Sequence, residues 1–145
     1  MGIIKKRNNK LSLTQKGKKL LENDSQLTEL LFTTFCRKFN WVYFDGYDIE
    51  QWGQLGFGFS LVLLRKYGGL KREGNFYAEK YFNAFPNLLD FHPFSENIQR
   101  RAYHCYLLRT FERFLAYFGF VEYDRAWRDN PRYVVTTKLF NSFLQ

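Results

Sequence analysis

The chain has 145 residues, 46% of them apolar and 21% aromatic, and carries 22 basic against 14 acidic side chains, a net charge of +8. That supplies a core for one domain and is too apolar for a disordered chain. Two distant cysteines, Cys36 and Cys105, exclude a disulfide scaffold, and the longest apolar run, 55–64, is too short to cross a bilayer.

The charge is uneven. Residues 1–22 hold Lys5, Lys6, Arg7, Lys10, Lys16, Lys18 and Lys19 against Glu22 alone, which is +6 of the +8. A field that attracts an anionic partner therefore arises mainly at this end. No apolar signal segment follows the basic start, so a cytoplasmic protein is expected.

In chain order, Gly2-Ile3-Ile4 begins a strand, Asn8-Asn9 supplies a turn, and Leu11-Ser12-Leu13 alternates as a half-buried strand does. Thr14 is suited to cap a short helix over 16–22, with Leu20 and Leu21 inward. A second helix, capped by Asp24 or Ser25, is predicted to run to about Phe39 with Leu27, Leu30, Leu31, Thr34 and Phe35 near one face. Residues 40–48 read as an aromatic connector, 50–67 as a buried helix stopped by Gly68-Gly69, and 75–85 as an amphipathic helix ended by Pro86. Residues 86–95 read as a linker. Ser95-Glu96-Asn97 opens a long helix to about Phe118, terminated by Gly119. Strands over 120–123 and 132–136, a polar loop between them, and a helix over 138–144 complete the chain.

The ends share a pattern. Gly2-Ile3-Ile4, a basic loop, Leu11-Ser12-Leu13-Thr14, Lys16 and Leu20-Leu21 correspond to Gly119-Phe120-Val121, a loop with three arginines, Tyr133-Val134-Val135-Thr136, Lys138 and Phe143-Leu144. Each reads as glycine, strand, polar loop, strand, threonine cap, short helix. This is the wing of a winged-helix module and the helix after it. The second copy has the preceding helix, 109–118; the first has only Met1 before Gly2, so the chain reads as starting inside a module of a longer protein. The expected fold is mainly α with two short β-hairpins, winged-helix-like, around an aromatic-rich helical core. One unit is expected over 1–145, with a partial wing and helix over 1–22, a helical core over 23–85, and a helix, wing and closing helix over 96–145.

Three stretches carry a resemblance: 11–17 (LSLTQKG), 35–46 (FCRKFNWVYFDG), and 118–122 with 137–140 and 143–144. On these the chain resembles the C-terminal region of uncharacterised bacterial proteins related to the open-reading-frame-three protein of an Ri plasmid. The resemblance implies a winged-helix-like fold and a bacterial origin, and it implies no activity.

No catalytic or metal-ligand motif is legible. His92 and His104 lack metal spacing, though Cys36, His104 and Cys105 could meet in space. Asp45, Asp48 and Glu50 read as caps rather than as an acid/base pair, and Gly53, Gly56 and Gly58 as glycines that let helices approach. The expectation is a non-enzymatic module without cofactor or metal and without a membrane span. The candidate nucleic-acid contacts are Lys5, Lys6, Arg7 and Lys10 on the first wing, Arg125, Arg128 and Arg132 on the second, and Arg109 and Arg113 on one face of the long helix. The alternative is a protein–protein interaction or scaffolding domain of a larger bacterial protein.

Overall fold

The computed structural model describes residues 2–90, 97–124 and 132–143. The chain divides into two compact units, residues 1–39 and 40–145, where the sequence suggested one. The boundary falls at the start of the aromatic connector.

In the first unit, β1 (Ile4–Arg7) and β2 (Lys10–Leu13) form an antiparallel hairpin in the register Ile4↔Leu13, Lys6↔Leu11. Its two-residue turn holds Asn8 and Asn9 at φ 52° and 57°, the left-handed conformation that asparagine tolerates and that matches the twist of a hairpin. α1 (Gln15–Leu21) follows, with Thr14 as its cap, and α2 (Asp24–Arg37) is capped by Asn23 rather than by Asp24 or Ser25. Leu21 is exposed, against the inward position expected of it.

The second unit contains α3 (Trp41–Asp45), α4 (Phe57–Tyr67), β3 (Arg72–Glu73), α5 (Gly74–Ala84), a 3₁₀ turn (Pro86–Leu89), α6 (Ile98–Tyr106), a π-helical continuation (Leu107–Leu115), β4 (Val121–Tyr123), β5 (Tyr133–Thr136) and α7 (Lys138–Phe143). The sheet order is β3-β5-β4, antiparallel throughout. β3 was not legible in the sequence: it is two residues long, and its pairing is extended by Gly74 N–H to the Arg132 carbonyl (2.6 Å) and Thr136 N–H to the Gly68 carbonyl (2.9 Å).

Three sequence expectations are corrected here. The connector is partly helical: Asn40 caps α3 by accepting from Tyr43 N–H, and Gly46 ends it in the left-handed conformation. The helix expected over 50–67 starts only at Phe57, because Gly53 (φ 77°) and Gly56 (φ 66°) turn the chain before it. A Cβ on Gly56 would sit 2.3 Å from the Phe85 ring, so that position admits no side chain without repacking. The residues read as a linker begin inside the core: Leu88 is buried, and its carbonyl accepts from Trp52 Nε1 at 2.9 Å.

Aromatic rings build the core of this unit. Tyr81 stacks on Tyr106 (4.5 Å between centroids), Phe57 on Phe114 (4.6 Å), and Tyr77 meets Phe111 edge-on (5.4 Å). Tyr106 and Ser60 share a buried hydrogen bond of 3.0 Å, and the Tyr81 hydroxyl donates to the Leu55 carbonyl. Such rings contribute large apolar area, and the Tyr106 and Tyr81 hydroxyls find the partners that burial demands, whereas the Tyr77 hydroxyl is buried without one among the described residues.

The repeat is a structural one, shifted by a residue in its second copy. Thr14 N–H donates to the Ile3 carbonyl, Thr14 Oγ1 donates to the Gly2 carbonyl, and Gly17 N–H donates to Thr14 Oγ1. Thr137, not Thr136, makes the same set: its N–H to the Phe120 carbonyl, its Oγ1 to the Gly119 carbonyl, and Phe140 N–H to its Oγ1. The registers correspond, Ile4↔Leu13 with Val121↔Thr136 and Lys6↔Leu11 with Tyr123↔Val134. In both copies one threonine hydroxyl ties the hairpin to the helix after it, a local bond set worth about 1 kcal/mol in each place.

Candidate nucleic-acid interface

The nine basic residues singled out from the sequence do not form one surface. In the first hairpin the register sorts four of them. Lys5, Arg7 and Lys10 share a face with Ser12, whereas Lys6 lies on the opposite face with Ile4, Leu11 and Leu13. All four basic residues are exposed, and no described residue makes an ion pair with them. α1 adds Lys16, Lys18 and Lys19, also exposed. Positive charge is thus concentrated on a hairpin and helix whose own acids are few.

Arg109 is a correction. The sequence placed it on an exposed face with Arg113, but it is 1% exposed. Its Nε donates to Asp45 Oδ2 at 2.7 Å and its Nη2 to Asp45 Oδ1 at 2.9 Å, a bidentate pair with both side chains buried. Nη1 donates to the carbonyls of Ile49 (2.7 Å), Trp52 (3.0 Å) and Glu50 (3.2 Å), and Nη2 also reaches the Tyr47 carbonyl (3.4 Å). The guanidinium therefore satisfies the backbone of the 47–52 loop, which has no regular structure to do so. Asp45 Oδ1 additionally accepts from Tyr47 N–H, so it serves the turn and the ion pair rather than capping a helix. Asp48 pairs with Arg101 at 2.9 Å.

The helix carrying Arg109 widens to admit this arrangement. Ala116 N–H donates to the Phe111 carbonyl, a bond that spans five residues rather than four, whereas the Phe120 N–H to Leu115 carbonyl and Gly119 N–H to Ala116 carbonyl bonds are the closing turn at left-handed Gly119. The widened stretch buries Leu107, Arg109, Thr110, Phe111, Phe114 and Leu115 together. Gly53 lies flush on it: a Cβ there would stand 3.2 Å from Thr110 Oγ1 and 3.3 Å from Arg109 Cβ. π-segments are uncommon and cluster at specialised positions. Neither proline nor glycine marks this one in the sequence.

Arg113 is half-buried, with its guanidinium 5.0 Å from the centre of the Phe44 ring. Arg132 does not project as a wing residue. Its Nη2 donates to His104 Nε2 (3.1 Å), its Nη1 to the Tyr123 hydroxyl (3.3 Å), and Glu112 is 3.8 Å away. Arg125 and Arg128, like His92, lie outside the described residues.

His104 is held between two partners. An arginine can only donate, so Nε2 accepts from Arg132 and Nδ1 carries the proton toward the Tyr47 hydroxyl at 2.5 Å. Burial, followed by the neighbouring charges of Arg132 and Arg100, holds its pKa below the usual histidine value. The thiols are poor nucleophiles: burial pushes Cys105 up to about 12 and Cys36 up to about 11. Among the described residues, no group of three or more His, Cys, Asp or Glu side chains is placed to hold a metal ion, and no helix is long and apolar enough to cross a membrane.

Sequence reasoning missed a second cationic cluster. Lys66, Arg72 and Lys80 surround the rings of Tyr67 and Phe76 at 4.8 to 5.7 Å. Lys66, Lys80 and Tyr67 border a groove of about 470 Å³ between α4 and α5, lined by Phe59, Val62, Leu63, Asn83 and Ala84 besides. The signal lay in basic residues interleaved with aromatics at helical spacing across 66–80, which reads in one dimension as a solvated face.

No family model, no curated protein and no solved structure matches this chain.

Two outcomes are expected. Arg109→Met leaves Asp45 and four carbonyls without their donor and should lower the unfolding free energy by about 3–5 kcal/mol, as read by urea denaturation, and Arg109→Lys should rescue it only in part because an ammonium lacks the two-pronged fork. For His104 the folded pKa lies below the unfolded value of 6.5, so the fold favours the neutral ring. Its contribution is complete above about pH 6.5 and is lost as pH falls below that value. His104→Gln should flatten the decline in thermal midpoint between about pH 6.5 and 5 relative to the wild-type chain.

Proposed function

We propose that this chain is a non-catalytic nucleic-acid-binding module of winged-helix type, with the basic face of its first hairpin as the main phosphate contact. The observation that carries this reading is the alignment of Lys5, Arg7 and Lys10 on one exposed hairpin face, beside Lys16, Lys18 and Lys19 of the following helix. Arginine and lysine on such a wing meet phosphate oxygens without reading bases.

The topology of the second unit supports the fold assignment. Helix, strand, helix, helix, strand, strand, with the first strand paired on the last, is the winged-helix order, and β3-β5-β4 with α4, α5 and α6 follows it. In that scheme α6 occupies the place of the helix that enters the major groove. Its exposed residues are Gln99, Arg100, Arg101 and His104, and Arg109 contributes nothing because it is buried. The contact set is accordingly smaller than the nine residues expected from the sequence, and it centres on the first unit. The resemblance to plasmid-related bacterial proteins is consistent with a bacterial, cytoplasmic module of this type.

A protein-interaction role is the second reading. The exposed apolar side chains opposite the basic hairpin face favour it.

Binding of a labelled random-sequence duplex, followed by fluorescence anisotropy between about 50 and 200 mM salt, tests the proposal. Micromolar affinity with a steep negative salt slope is expected. Reversing Lys5, Arg7 and Lys10 to glutamate should reduce the slope of log K against log salt by about 3, near 0.9 for each phosphate that is no longer neutralised. Absence of binding at the lowest salt, or a slope unchanged by the triple reversal, would remove the nucleic-acid reading.

A further inference from the structure

The two copies of the wing present the same face in opposite states. In the second copy, Val121, Tyr123, Val134 and Thr136 share one face of the β4-β5 hairpin. Val121 is 4% exposed and Val134 is fully buried, and Tyr123 stacks on Phe111 of the π-helical segment at 6.3 Å. A helix covers that face. The equivalent positions in the first copy are Ile4, Lys6, Leu11 and Leu13. There Ile4 is 53% exposed, Leu11 72% and Leu13 36%. A hairpin with the same register and the same threonine tie thus exposes the apolar face that its counterpart buries against a helix.

We infer that the Ile4-Leu11-Leu13 face of the first hairpin is a docking surface for an amphipathic, acidic helix of a protein partner. The helix follows from what covers the equivalent face. The acidity follows from charge. Residues 1–39 carry nine basic side chains against Glu22, Asp24 and Glu29, and Lys6 stands on the docking face itself, where Tyr123 stands in the other copy. A carboxylate on the partner helix would meet Lys6 at the edge of the apolar contact. A second copy of this chain is a poor occupant, because each copy carries +8. The other face of the hairpin keeps Lys5, Arg7 and Lys10 for phosphate, so the inference does not rest on nucleic-acid binding.

The probe is a fluorescently labelled synthetic helix of about 18 residues, leucines at i, i+3, i+4 and i+7 and glutamates between them, titrated with the full chain at about 150 mM salt. Saturable anisotropy is expected. Leu11→Asp and, separately, Ile4→Lys should each weaken it by about tenfold or more, the scale set by one apolar anchor left in water. Both positions are exposed, so neither change should disturb the fold, and duplex binding by the charge-neutral variant Leu11→Asn should equal that of the wild-type chain. A matched peptide with glutamine in place of leucine should not bind. Equal binding of the leucine peptide by wild type and both variants would show charge attraction alone and overturn the inference, as would no saturable binding. Self-association of the chain that Leu11→Asp abolishes would make the occupant a second copy and would also overturn it.

Discussion

The second unit depends on one buried guanidinium. Arg109 grips Asp45 at the end of α3 with two charge-assisted hydrogen bonds and takes up four carbonyls of the loop that follows. Without it, the 47–52 loop would bury backbone oxygens with no donor, and α3 would lose its tie to the long helix. Burying an arginine carries a desolvation cost that only near-complete pairing offsets, and this side chain has that pairing. The widened helix and Gly53 then follow: the first brings Arg109, Thr110 and Phe111 inward together, and the second lets the loop backbone lie flat against them.

That arrangement divides the chain's positive charge into two kinds. Arg109 is structural, Arg132 is occupied by His104, Tyr123 and Glu112, and Arg101 by Asp48. Charge left for an anionic partner lies on Arg100 and the Lys66-Lys80 cluster of the second unit and, most densely, on the hairpin and α1 of the first unit. There the two-residue periodicity of the hairpin separates it again, with Lys5, Arg7 and Lys10 on one face and an apolar surface with Lys6 on the other. One small hairpin with two chemically distinct faces is the result.

Local signals in the sequence were reliable where a residue acts on its own neighbours. Asn8-Asn9 specified the turn, Thr14 the cap, Gly119 and Gly68 the helix ends, and the paired glycine-strand-threonine pattern the structural repeat. Signals failed where a distant partner decides. Arg109 four residues before Arg113 looks like a basic stripe, and only the arrival of Asp45 from 64 positions away makes it a core residue. Gly53 and Gly56 look helical among apolar neighbours until their positive φ angles are seen. β3 is too short to have a period, and the cap shift from Thr136 to Thr137 needed the register of β5. Of the candidate interface, the exposed basic residues of the hairpin were legible in the sequence, while Arg109, grouped with them there, lies in the core of the second unit.

The most direct test of this division is an amide chemical-shift titration of the full chain with a short duplex. Perturbations are expected at Lys5, Arg7 and Lys10 and through α1, with Leu11, Leu13 and the 45–52 loop unmoved. Shifts centred on the 45–52 loop and the helix around Arg109, with the first hairpin silent, would contradict that division.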